Sequence, residues 1–294
     1  MKTRQIGSRT VSAIGLGGMP MSIEGRPEDR SQSIAAIHAS LDAGVTFIDT
    51  ADAYHLSGHK DDDEVGHNEK LIAEALRSWG GDRDAVLVAT KGGHTRSNKD
   101  SWEKDGRPEH LKEAAKASAQ RLGVDAIGLY QFHRPDPDVP YEESIGAIRD
   151  LLDEGVIAMA GISNADPDQI RQANDVLGGR LVSVQNQYSP AFLSSRPELD
   201  LCTEMGIAFL PWSPLGGISK ASDLGSTYDV FQQVADAKGV SPQQVTLAWM
   251  LATSPVVVPI PGSSRPETAK ASAEAADVEL TDDEKSRLDS AARH

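Results

Sequence analysis

Eight short apolar runs recur along the chain, at residues 13–17, 45–49, 85–89, 126–132, 156–161, 181–185, 206–210 and 256–260, each followed by a stretch of helical spacing. Runs of this length, bounded by polar turns, are the pattern of strands buried on both faces of a parallel sheet. Between them the apolar residues fall three and four apart: Ile34, Ile37 and Leu41; Leu71, Ala75 and Trp79; Ile145, Ile148 and Leu152; Ile170, Ala173 and Leu177; Val245, Ala248, Trp249 and Ala252. Each helix thus turns one stripe inward. Helix starts are marked as well: Asp166-Pro167 with Gln169, Ser241-Pro242 with Gln244, and Thr281 with Glu284 predict a capping side chain before the first turn. Eight strand and helix alternations, with no composition break or long linker, predict an α/β fold of the (β/α)8 TIM barrel type as one domain over residues 1–294. An open doubly wound sheet is the alternative. Ahead of the first barrel strand, Gly7-Ser8 separates two runs holding Ile6 and Val11, which predicts an N-terminal β-hairpin over residues 4–11 that plugs the barrel's bottom.

Charge and composition then remove several function classes. A net charge of -15 repels nucleic acid and anionic membrane surfaces, so neither is expected as a partner and any phosphate site must be local. The apolar runs fall far short of the ~18 residues of a membrane helix. The opening MKTRQIGSRT lacks the apolar core of a secretory signal, and a cytoplasmic location is expected. Cys202 is the lone cysteine; it offers no disulfide and no metal pattern, and reads as a small buried apolar residue.

Two motifs look like chemistry and are not. GLGGMP at residues 15–20 begins like the dinucleotide fingerprint, but Pro20 stands where the third glycine belongs and no helix follows directly. His55, His59 and His67 lie beside an acidic run, Asp61 to Glu64, and a zinc-dependent barrel hydrolase could be built on them. The same stretch holds Gly58 and Gly66 and reads as a solvated loop, so no metal is expected. The informative pattern is positional. Asp49 ends the second strand with Tyr54 five residues on, Lys91 follows the third, His133 the fourth, Ser163 and Asn164 the fifth, and Gln185 the sixth. Barrel enzymes keep their active sites at those strand ends. Any one of these residues alone reads as a cap or a solvated tip. Taken together, a buried Lys needs a carboxylate such as Asp49, and the set reads as a site.

DTADAYH (49–55), ATKGG (89–93), YQFHRPD (130–136), GISN (161–164), VQNQYS (184–189), PWSPLGG from Pro211 and PIPGSSRPE from Pro259 resemble the aldo-keto reductase family in register along essentially the whole chain. The resemblance implies that Asp49, Tyr54, Lys91 and His133 form a catalytic tetrad and that an NAD(P)H-dependent reduction of aldehydes or ketones takes place. It also implies that Ser163, Asn164 and Gln185 hold a nicotinamide carboxamide, that Trp212 stacks on the nicotinamide, and that Ser213, Leu215, Gly262, Ser263, Ser264, Arg265 and Ser272 contact the rest of the cofactor. Gly262, Thr268, Ala271 and Ser272 stand where NADPH-selective members of the family carry a basic residue, an arginine and a Glu-Asn pair. Arg265 and Lys270 are the available substitutes, so NADPH is expected as the cofactor with NADH also used. The residue types agree with that chemistry: Tyr54 as proton donor, Lys91 lowering its pKa, Asp49 neutralising Lys91, and His133 polarising the carbonyl of a small-molecule substrate. The loops 55–68, 92–106 and 215–227 are expected to set substrate choice, with Trp102 and Phe192 as pocket candidates. A slow, redox-sensing regulatory module resembling potassium channel β subunits is the competing reading. Substrate identity and oligomeric state stay open.

Overall fold

The computed structural model describes residues 1–56, 64–98, 101–217 and 228–292. Strands β1 (Thr3–Ile6) and β2 (Arg9–Ser12) form an antiparallel hairpin. Its turn places Gly7 at φ 54°, and a side chain there would strike Val182 and Met159. Glycine is needed on both counts. Ile6 and Val11 are buried among Phe47, Leu87, Leu129 and Ala208, which open barrel strands, and Val258 of the eighth segment. The hairpin closes the barrel's N-terminal end, as the sequence predicts.

The barrel itself takes β3 (Leu16–Gly17), β4 (Phe47–Asp49) and β5 (Leu87–Gly92). After a separate antiparallel pair, β6 (His94–Asn98) and β7 (Ser101–Lys104), it continues with β8 (Leu129–Phe132), β9 (Ala160–Ser163), β10 (Leu181–Gln185) and β11 (Ala208–Phe209). These seven barrel strands pair in parallel in chain order. The eighth position is filled by an irregular segment instead of a strand. Val258 N donates to Phe209 O (2.9 Å) on one side, while Gly15 N and Gly17 N donate to Pro259 O (2.9 Å) and Pro261 O (3.0 Å) on the other. Pro259 and Pro261 have no N–H to return, so the segment closes the barrel with a ladder that runs one way on the β3 side.

Helices pack outside the strands, and the three predicted starts carry full capping boxes at Asp166/Gln169, Ser241/Gln244 and Thr281/Glu284. Each satisfies two otherwise orphaned amides, worth about 1 kcal/mol per cap. Pairing begins later than the apolar runs do. Val45 and Val86 are buried before their strands pair, and Ile127 and Ile157 meet only in an isolated parallel bridge ahead of theirs; all four pack against the outer helices. Burial made those runs apolar, not ladder formation. Gly206, placed by its run in the seventh strand, is the left-handed cap (φ 67°) of the helix Arg196–Met205. The segment 92–106, read as a loop, holds the β6–β7 hairpin.

Candidate active site

Asp49 is the last residue of β4, and Lys91 lies next to it on β5, which pairs Asp49 with Ala89 in register. Alternation along a strand sends Ala89 and Lys91 to the same face, so the lysine comes up against the carboxylate. Lys91 Nζ donates to Asp49 Oδ1 (2.5 Å), Thr50 O (3.0 Å) and Tyr54 Oη (3.1 Å), and its side chain is 0% exposed. All three ammonium protons are therefore used. The other carboxylate oxygen, Oδ2, accepts from Gln185 Nε2 (2.8 Å) and Gln131 Nε2 (3.1 Å). A buried ion pair this completely bonded is the condition under which it is tolerated at all.

Tyr54 sits on the loop after β4, and that loop is fixed from beneath by Asn68. The Asn68 amide donates to Gly18 O (2.8 Å) and Ser22 Oγ (2.7 Å) and accepts from Thr50 Oγ1 (2.6 Å), while its backbone N–H donates to Tyr54 O. Nothing in the sequence singled out this asparagine. Burial pushes the Tyr54 phenol above its ordinary value, and the Lys91 charge offsets only part of that. The sequence-based expectation of a lowered phenol is met by Lys91's own contribution, but desolvation outweighs it. Burial also works against the Lys91 ammonium, yet the charges of Asp49 and Tyr54 and their hydrogen bonds together raise its pKa. His133, edge-on to the Tyr54 ring at 5.8 Å, is held well below the usual imidazole range by burial and by Lys91, His94 and Arg134. It is neutral. Its Nδ1 is buried with no hydrogen-bond partner among the described residues.

These groups form the floor of a cavity of about 1160 Å³ at the C-terminal ends of the strands. Of the fifteen residues expected from the sequence, fourteen line it; Lys91 lies just behind, under Asp49 and Tyr54. Asn164 donates to His133 O (3.0 Å) and Ser163 Oγ (2.9 Å) and accepts from Trp212 Nε1 (3.2 Å), which locks the indole to the strand ends. Among the described residues, Asn164 and Ser213 are the non-glycine residues with positive φ (57° and 49°), and both face the cavity. Such backbone persists where surrounding structure enforces it, often at ligand sites. At the far end lie Gly262, Ser263, Ser264, Arg265 and Ser272, around the N-terminus of the helix Pro266–Glu274. Free amides at such a terminus suit a phosphate.

Some expectations are not met. Lys270 does not line the cavity; it pairs with Glu274 along its own helix at 3.7 Å. Phe192 is half-buried elsewhere, whereas Trp102 does form part of the wall. Of the three histidines, His59 falls outside the described residues. His67 opens the helix His67–Ser78 and contacts Ser22 Oγ and Arg30, while His55 contacts Leu56 O. Among the described residues no cluster of metal-ligating side chains is present. Sequence reasoning missed Gln131, Asn68 and a buried network beneath the Tyr54 loop. There Glu69 takes Thr90 Oγ1 and Arg121 Nε at 2.5 Å each, and Asp52 is pushed up to about 8 by burial and by Glu69 beside it.

A (β/α)8 barrel with its cavity at the strand C-termini, floored by an Asp-Lys-Tyr chain and a neutral histidine, defines a class of oxidoreductases. The Aldo/keto reductase family model matches residues 13–293, and the chain belongs to that family. It is 33% identical over 290 residues to an uncharacterized oxidoreductase of Schizosaccharomyces pombe, covering 98% of this chain and 89% of that one. It is 34% identical over 284 residues to a 6-dehydroglucose reductase of Novosphingobium aromaticivorans, covering 94% and 90%. A Klebsiella pneumoniae aldo/keto reductase solved with NADP and acetate superposes with a TM-score of 0.81 at 27% identity, covering 98% of this chain and 94% of that one. No helix among the described residues is long and apolar enough to cross a membrane.

Proposed function

We propose that this oxidoreductase reduces aldehydes or ketones to alcohols with NADPH, accepting NADH less well. The observation that carries the mechanism is the contact of Lys91 with both Asp49 (2.5 Å) and Tyr54 (3.1 Å) on the cavity floor. A reduced nicotinamide supplies hydride when bound, and negative charge then gathers on the former carbonyl oxygen. That oxygen needs a proton. Because Lys91 donates to Tyr54 Oη, the phenol keeps its own proton for the cavity side, and the ammonium stabilises the phenolate left behind. Asp49 keeps Lys91 charged and aimed. His133, neutral and lining the cavity, donates a ring N–H to the same carbonyl oxygen.

The cavity suits a dinucleotide. Its volume exceeds the ~300 to 1,000 Å³ of ordinary small-molecule pockets, leaving room for cofactor and substrate together. Gln185 has its Nε2 on Asp49, which leaves Oε1 to receive a carboxamide N–H beside Ser163 and Asn164. Trp212 would stack on the nicotinamide, Ser213, Leu215 and Gly262 to Arg265 would hold the phosphates, and Ser272 would meet the adenosine end. The test is loss of NADPH absorbance with a panel of aldehydes, run on wild type and Tyr54→Phe. We expect turnover in wild type and a kcat about 10² to 10⁴-fold lower in the variant, with NADPH still bound. A wild-type rate in Tyr54→Phe overturns the mechanism. Tight NADPH binding with no carbonyl turned over would point instead to a regulatory module.

A further inference from the structure

The substrate end of the cavity carries a charge arrangement that the reduction itself does not require. β5 ends at Gly92, whose carbonyl accepts from His133 N, so the residues after β5 and β8 are held side by side. This brings His94 against His133, with ring centroids 4.8 Å apart, and β7 brings Lys104 opposite His94 in register. Trp102 stacks on His94 at 4.8 Å and completes the wall. Arg134 follows His133 directly, lines the same cavity, and is half-buried.

Arg134 and Lys104 have no ion pair or hydrogen bond among the described residues. Other arginines with little exposure do: Arg26 meets Glu64 (3.3 Å), Arg96 meets Glu24 (2.9 Å) and Arg121 meets Glu69 (2.5 Å). Burial works against the Arg134 charge, and among the described residues only the Tyr54 phenol, no carboxylate, offsets it. Among the described cavity-lining residues only Asp49 and Glu267 are acidic; the first is consumed by Lys91, Gln131 and Gln185, and the second lies at the far end. A half-buried guanidinium left without a counterion among the described residues, on a chain of net charge -15, is a site suited to an anion. His94, held down to about 4 by burial and by Arg134, Lys104 and other cations, is neutral and adds no competing charge.

We infer that the carbonyl substrate carries a carboxylate, received by Arg134 with Lys104 at the rim, while its carbonyl lies over Tyr54 and His133. This rests on the proposed carbonyl reduction and adds the substrate class. A guanidinium fork matches a carboxylate in two parallel hydrogen bonds, which a lysine alone does not. The positive wall also draws an anionic substrate toward an otherwise acidic molecule.

The test compares 3- and 4-carboxybenzaldehyde with their methyl esters, reading the ratio of kcat/KM, acid over ester. We expect a ratio of about tenfold or more in wild type, from a charge-assisted contact, narrowing as salt is raised. Arg134→Met should collapse that ratio about tenfold and Arg134→Lys should restore part of it; Lys104→Met should reduce it about two- to threefold. An acid-to-ester ratio at or below one, or a ratio unmoved by Arg134→Met, overturns the inference. So does a loss of NADPH affinity in Arg134→Met that matches the loss in turnover, because Arg134 would then serve the cofactor's phosphates. Calorimetric titration with benzoate and benzamide separates the two proposals. If no carbonyl is reduced, yet benzoate binds and Arg134→Met abolishes that binding, the anion site stands and the reductase reading falls.

Discussion

At one end of the cavity Lys91 and Asp49 meet at 2.5 Å with side chains 0% and 3% exposed, whereas at the other Arg265 and Glu267 stand 3.9 Å apart with 65% and 72% of their side chains in water. Both are acid–base pairs at the same cavity, the first with its lysine just behind the floor. The difference lies in what surrounds them. Around the first, Gln131, Gln185, Thr50 and Tyr54 take up every remaining bond, and the low dielectric makes each charge felt strongly by its neighbour. Around the second, water and salt screen the charges, and an exposed pair contributes little. In the proposed mechanism one end shifts a proton and the other grips a ligand loosely, and removing a charge should cost very different amounts at the two.

The sharpest contrast comes from the buried end. Lys91→Met removes the cation that stabilises the Tyr54 phenolate, and we expect kcat to fall about 10² to 10⁴-fold, as for loss of a positioned acid. In the direction of alcohol oxidation, where phenolate must accept the proton, the rising limb of the rate profile should move to higher pH. Burial already holds Tyr54 up, and the group that partly offsets it is gone. The variant also leaves Asp49 buried without a cation, at a cost of about 3 to 5 kcal/mol. The double variant Lys91→Met/Asp49→Asn should recover most of that stability while staying inactive. Denaturant midpoints and pH profiles together decide it: an unchanged profile in Lys91→Met would make the lysine merely structural.

A second buried charge sharpens the comparison further, because Asp52 lies near the same floor but lacks a cation as close as Lys91 is to Asp49. Its Oδ1 has no hydrogen-bond partner among the described residues, and burial with Glu69 pushes it up to about 8. An unfolded Asp titrates near ~3.9. The folded form thus binds a proton that the unfolded chain releases between these values, so this residue's stabilisation is full below about pH 4 and is lost as pH rises toward about 8. Asp52→Asn should remove that slope, making the variant gain stability relative to wild type from pH 5 to pH 8 by roughly one or more kcal/mol. Urea midpoints across this range check it. A wild-type-minus-variant difference that does not change with pH would mean that Asp52 is ionised throughout.

How much of this could be read from the chain follows the same division. The barrel was legible because eight runs buried on both faces leave a strong apolar signal, and the three capping boxes fix helix starts by local hydrogen bonding alone. The cavity residues at strand ends were legible by position. The last strand misled because Pro259 and Pro261 keep the apolar pattern while removing the amides that make a ladder. Asn68, Gln131 and the Asp52–Glu69–Arg121 network were illegible for a different reason: each acts across 18 to 82 residues of separation or through burial, and neither leaves a periodic mark. The net rise of the Tyr54 phenol was hidden for that reason too. A lysine can be seen in sequence, but the desolvation that outweighs it cannot.

The smallest expected effect belongs to the exposed end, and it tests whether that end reads cofactor charge at all. Arg265 precedes the helix Pro266–Glu274, and its backbone N–H donates to Ser263 Oγ (3.1 Å), so the turn is held even if the side chain is removed. Arg265→Ala therefore isolates the guanidinium. A 2′-phosphate contact there is exposed, and Glu267 competes for the same cation, so we expect NADPH affinity to weaken only about three- to tenfold. NADH affinity should change less than about twofold, as it lacks that phosphate. Raising salt to about 0.5 M should shrink the wild-type preference, since the Debye length falls below ~10 Å. Fluorescence titration of both cofactors at two salt concentrations measures each quantity. Equal weakening of NADPH and NADH would place Arg265 on the part of the dinucleotide they share, and the selectivity would then have to come from the helix amides and from Ser263, Ser264 and Ser272.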